Sequence, residues 1–151
     1  MTATALGRDD ILALVPHAGA MCLWDAVLEW DARGVRVRGA GHRDRAHPLR
    51  GGDGRLRAVH LCEYGAQAAA VHGGLRARTA GARARPGLLV ALRAVELHCQ
   101  SIEALPGELE GEAELLIDGE SGWQYAFRIF HRGRLLAQGR VAVMPDTGAT
   151  T

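Results

Sequence analysis

The 151-residue chain has no lysine and no asparagine, and all eighteen of its basic residues are arginine. No single site demands such a bias, so it reads as genome composition. The net charge is only +1 and the arginines are scattered. A nucleic-acid surface needs basic residues gathered on one face, so no such partner is expected. No apolar run approaches the roughly 20 residues of a membrane span. The opening, MTATALGRDD, has no basic region followed by an apolar run, so no secretory signal is expected there. The three cysteines, Cys22, Cys62 and Cys99, are odd in number and sit among apolar neighbours. Buried free thiols in a reducing compartment follow, and with them a cytoplasmic location. No Cys/His spacing matches a metal site, and the nucleotide-loop patterns G-x-G-x-x-G and G-K-S/T and the G-x-S-x-G nucleophile elbow are all missing.

What is present is an ordinary globular balance, 48% apolar and 23% charged, of a length that fits one domain over residues 1–151. Asp9 or Asp10 can cap a helical turn through Leu14, which Pro16 stops. MCLWDAVLEW (21–30) reads as a strand or a buried lead-in to one. GVRVRGAG (34–41) alternates Val with Arg, the period of a half-exposed strand. A Gly-, Arg- and Asp-rich loop runs from His42 to Leu56, longer than a mere connection needs. Arg57 to Arg78 is the one long helical pattern, and its middle is apolar nearly all round, as in a helix buried on every side. Thr79 to Gly87 is a second loop.

Four strands are expected after Pro86. The first is LLVALRAVELHC. In the second, Leu109, Ala113, Leu115 and Ile117 oppose a row of Glu. The third aligns Trp123, Tyr125, Phe127 and Ile129, and the fourth Leu135, Ala137, Val141 and Val143. Asp118-Gly119 and Arg132-Gly133 are the hairpin turns. The tail from about residue 146 is expected to fray. This order predicts an α+β domain, a curved antiparallel sheet around one central helix, with a partner subunit to cover the helix face the sheet leaves open.

Glu63 is the most informative residue, because a carboxylate in so apolar a helix is costly unless neutral, paired or working. Burial would raise its pKa and suit it to general acid catalysis. Gln67, at i+4, shares its face and is expected to hydrogen-bond Glu63 or a ligand. His47, in the Gly-rich loop ahead of Pro48, is a candidate base. His60, one turn before Glu63, either pairs with it or is a core histidine bonded to a backbone carbonyl, the second being preferred. His17, between a Pro and a Gly, is expected to cap a turn.

LALVPHAGAMCLWDAVLEWD resembles the opening of the FabA/FabZ-type 3-hydroxyacyl-carrier-protein dehydratases, and HPLRGGDGRLRAVHLCEYGAQAAAVHGG resembles their His-Pro loop and E-x-x-A-Q helix. Closer still are the small hotdog dehydratases of aryl polyene pigment clusters. Their His-Pro loop, D-G-x-L turn and E-Y-x-A-Q-A helix match His47-Pro48, Asp53-Gly54-Arg55-Leu56 and Glu63-Tyr64-Gly65-Ala66-Gln67-Ala68. The resemblance implies a hotdog fold and a homodimer or heterodimer whose site combines a His from one subunit with a Glu from the other. By matching position His47 removes the C2 proton of a 3-hydroxyacyl thioester on acyl carrier protein, and Glu63 protonates the departing 3-hydroxyl. Backbone N–H groups around Arg57 and Ala58 would polarise the thioester carbonyl. Arg57, where the family usually has Pro, would meet the phosphopantetheine arm, and His60 stands where the family has an apolar or small residue. No further cofactor is implied. A hotdog thioesterase and a catalytically weak partner of another dehydratase are the alternative readings.

Overall fold

The computed structural model describes residues 5–15, 19–81 and 87–145. The expectations for His17 and for the tail from residue 146 lie outside the described residues. Helix α1 (Arg8–Leu14) is followed by β1 (Ala26–Trp30), β2 (Gly34–Gly39), helix α2 (Leu61–Thr79), β3 (Gly87–Leu97), β4 (Leu109–Gly119), β5 (Gly122–His131) and β6 (Arg134–Pro145). The strands form one antiparallel sheet in the order β1-β2-β4-β5-β6-β3. The sheet wraps α2, which packs on β2, β4, β5 and β6. This is the hotdog fold, as expected.

Local chemistry sets the elements. The Asp10 carboxylate accepts the Gly7 N–H (3.1 Å) and so caps α1 from inside its first turn. The long helix starts one residue later than Arg57, as a 3-10 turn (Ala58–His60) that runs into α2. It stops at Ala80, just before Gly81, whose φ of 73° is the left-handed conformation glycine takes most readily after a helix. On the outer face of the sheet Arg36 and Arg38 of β2 meet Glu110 and Glu108 (2.9 and 3.0 Å), so the alternation of β2 answers the Glu row beside it.

Two β-bulges shift the apolar faces from where strict alternation puts them. A bulge between Leu115 and Ile117 turns Ile117 outward, 52% exposed. Another, opposite Ile129 and Phe130, buries Leu136 together with Ala137 in place of Leu135. The β4–β5 hairpin turns at Glu120-Ser121, beyond Asp118-Gly119, because Gly119 still pairs with Gly122. Arg132 and Gly133, with φ of 50° and 80°, make the expected turn between β5 and β6. The cysteines are free; Cys22 and Cys62 are buried and Cys99 is half-buried.

The core gathers between helix and sheet around Trp24, Tyr64, Phe127, Leu109 and Ile129. Trp24 donates its indole N–H to the Tyr64 carbonyl (2.9 Å), and the two rings meet edge to face. His72 is a buried tie: Nε2–H donates to the Asp31 carbonyl (2.8 Å), so Nδ1 accepts from the Tyr125 hydroxyl (2.8 Å). No described helix is long and apolar enough to cross a membrane.

Helix and sheet approach this closely because Gly65 has no side chain. A Cβ there would overlap the Phe127 ring of β5. Gly65→Ala is therefore expected to destabilise the fold by about 1–3 kcal/mol through overpacking, even though Ala favours helix. Thermal unfolding checks this; an unchanged or raised melting temperature would show that the helix can back away at no cost.

Candidate active site

His47 is delivered by a loop tied down at many points. The His47 N–H donates to the Asp44 carbonyl (3.0 Å), and the His47 carbonyl accepts from Arg50 N–H (3.1 Å). The Arg50 guanidinium donates to the carbonyls of Gly54 (2.8 Å) and His42 (3.2 Å), stapling both ends of the loop. Beneath it, fully buried His42 donates Nε2–H to the Leu105 carbonyl (2.8 Å). His47 is 8% exposed. Its Nδ1 accepts the Leu49 N–H (3.1 Å), so in the neutral ring the proton sits on Nε2, which faces the Tyr64 hydroxyl at 3.0 Å. Burial pushes the His47 pKa below its ordinary value, and the nearby Arg50 charge pushes it the same way.

At the head of the helix stands Arg57. Its guanidinium grips both oxygens of Asp53 (2.6 and 3.3 Å). That contact holds the Asp53 carboxyl down at about 2. The Ala58 N–H, expected to polarise a substrate carbonyl, donates instead to the Gln100 carbonyl (2.9 Å), because the chain returns beside it: Ile102 N–H donates to the Leu56 carbonyl and Leu56 N–H to Glu103. The next N–H, of Val59, has no acceptor among the described residues, and Val59 is 56% exposed. His60 is half-buried, so it is not the core histidine expected from the sequence.

Glu63 lies on the one side of α2 that the sheet leaves partly open. Along the helix that side continues as Ala66, Ala70 and Gly73, all half-buried, so Glu63 too is less enclosed than an all-apolar helix suggested. Gln67, buried to 2% exposure, makes three hydrogen bonds. Its Oε1 accepts the Leu23 N–H (2.9 Å), while Nε2 donates to the Met21 carbonyl (2.7 Å) and to Glu63 Oε1 (3.3 Å). Gln67 thus ties the lead-in to β1 onto the helix and steadies the carboxylate, as the i+4 spacing suggested.

Adjacent residues on a helix diverge by about 100°. Tyr64 accordingly points inward to His47 while Glu63 faces the open side, so the protomer does not merge the two into one cluster. Tyr64 belongs to the E-Y-x-A-Q-A segment, and spacing alone assigns it no role. The available signal was chemical: a tyrosine hydroxyl inside an apolar helix needs a partner.

The described residues thus combine a His-Pro loop with a hotdog helix that carries Glu63 and Gln67. The family model for ApeP-like proteins, described as ApeP dehydratase, matches residues 9–151, and the chain belongs to that family. Among solved structures, the dehydratase heterocomplex ApeI:P from Xenorhabdus doucetiae matches with a TM-score of 0.80 at 24% identity, covering 93% of this chain and 91% of that one. The E. coli PaaI protein from the phenylacetic acid degradation operon matches at 0.60 with 12% identity, over 91% and 88% of the two chains. AziG of S. sahachiroi matches at 0.52 with 18% identity, over 79% and 88%. These likenesses show the shared fold. No curated protein sequence matches the chain.

His42, His47 and His72 are all buried, and burial lowers all three pKa values below 6.5. Between the lowered values and the ordinary one, the unfolded chain binds more protons than the native chain, so stability falls as pH drops through about 6.5 and below. Melting temperatures measured from about pH 8 to pH 5 should be flat at the alkaline end and fall at the acid end. A curve that rises or stays level on acidification would contradict neutral burial of these rings.

Proposed function

We propose that this chain is one subunit of a dehydratase that converts a 3-hydroxyacyl thioester on acyl carrier protein into the trans-2-enoyl thioester, in aryl polyene or fatty-acid-like biosynthesis. The observation that carries this reading is the seat of Glu63. It is a carboxylate held by Gln67 at one end of the open stripe of α2, with only small side chains continuing that stripe. Membership of the dehydratase family supports it.

The reaction is a redox-neutral elimination. A histidine takes the proton from C2, and the C2–H electron pair becomes the C2–C3 double bond. Glu63 hands its proton to the 3-hydroxyl, which leaves as water. The thioester makes C2 acidic, so a neutral imidazole suffices as base. The resemblance gives the base's post to the His-Pro loop histidine, His47 in this chain, acting across a subunit boundary. No cofactor beyond the carrier's phosphopantetheine is needed.

A second hotdog subunit fits the edge of the sheet. Among the described residues strand β3 pairs only with β6, and Leu89, Val90, Leu92, Val95 and Leu97 are each exposed along it. An apolar edge strand of this length needs covering. The solved Xenorhabdus doucetiae relative is a heterocomplex. A thioesterase would use the same carboxylate to activate water and release free thiol.

With the assembled complex and a 3-hydroxyacyl carrier protein as substrate, Glu63→Gln is expected to lower enoyl formation at least about 100-fold, the scale of a lost general acid. Intact-protein mass spectrometry reads the loss of water directly. Equal turnover by wild type and variant, or release of carrier thiol in place of enoyl product, would remove the assignment.

A further inference from the structure

Resting on the dehydratase reading, we infer that Arg50 is a positioning residue for the loop histidine: its guanidinium sets where His47 stands and keeps a fixed positive charge beside it. Arg50 is half-buried in the loop it holds. Nη1 donates to the Gly54 carbonyl (2.8 Å) and Nη2 to the His42 carbonyl (3.2 Å). The Arg50 backbone N–H meanwhile closes a turn on the His47 carbonyl (3.1 Å). One side chain therefore bridges residues 42 and 54, with His47 between its two anchors. The point charge of a lysine would not reproduce that fork.

The charge of Arg50 is left unneutralised. Both acids of the loop are engaged elsewhere: Asp53 is gripped by Arg57, and Asp44 Oδ1 accepts the Ala46 N–H (2.9 Å). Among the described residues Arg50 makes no ion pair, and its buried Nε has no acceptor. A half-buried cation held only by carbonyls, with one donor unmatched, is a costly placement. A neutral amide would tie one carbonyl without that cost, so the loop retains the charge itself. The reaction supplies a reason, because a base must be neutral when the thioester arrives. Around His47 stand Asp44 in its own loop, His42 in the 3-10 turn Gly41–Arg43, and His60 and Tyr64 on the helix side. Burial does most to keep the ring neutral and Arg50 comes next, while of these groups only Asp44 pulls the other way. Arg50 gives and takes no proton; it acts through His47.

Nitrogen NMR of the unaltered chain gives the first test. The Arg50 Nη resonances should be separate, exchange slowly and shift as His47 titrates. A freely averaging guanidinium would overturn the inference without any variant having to fold. In Arg50→Gln, at an unchanged melting temperature, the His47 titration should move up by about half a pH unit, the direction set by removing a neighbouring positive charge. Arg50→Lys keeps the charge and should leave the titration in place. An unmoved titration in Arg50→Gln would sink the electrostatic role. In the assembled complex both variants should lower the plateau kcat at least about tenfold with KM little changed, the signature of a displaced base. Only Arg50→Gln should also carry the acid limb of the rate profile to higher pH. Full plateau rates in both variants would overturn the positioning role. A wild-type complex that yields no enoyl product while the NMR results hold would instead refute the dehydratase reading.

Discussion

Tyr64 is where the parts of this molecule meet. Its backbone carbonyl takes the Trp24 indole N–H, its ring packs edge-on against that indole, and its hydroxyl meets His47. The lead-in to β1, the helix and the His-Pro loop are thereby fixed relative to one another through one buried side chain. Tyrosine suits the place because it offers a large apolar body with a single polar tip, and that tip is matched. Burial pushes its own pKa well above the ordinary tyrosine value, so the hydroxyl stays neutral. Phenylalanine would fill the same volume but leave the Nε2–H of His47 buried without an acceptor.

Gln67 does on the next turn what Tyr64 does below it. Its amide both donates and accepts, so it can close the backbone of Met21 and Leu23 and still reach Glu63. The carboxylate is held by a group that is itself over-determined by backbone contacts. That is how a half-open position acquires a defined geometry without being buried. The contrast with Arg57 is instructive. Its ion pair with Asp53 lies at the surface, where solvent screens it, and it orders the loop end more than it stabilises the fold.

The periodic features were legible in the sequence. One apolar helix, the succession of strands along the chain and the Glu63–Gln67 pair all follow from spacings of 2 and about 3.6 residues. What escaped depended on contacts between distant segments or on single-residue irregularities. Nothing near Ala58 announces that Gln100 will return to take its N–H. Nothing near Ile117 or Leu135 announces a bulge, and one extra residue is enough to exchange inside for outside. Tyr64 stood in view beside Glu63, but its partner lies 17 residues upstream, in a loop with no period to read. The apolar character of α2 likewise over-predicted enclosure, because small residues count as apolar whether they face a core or a partner.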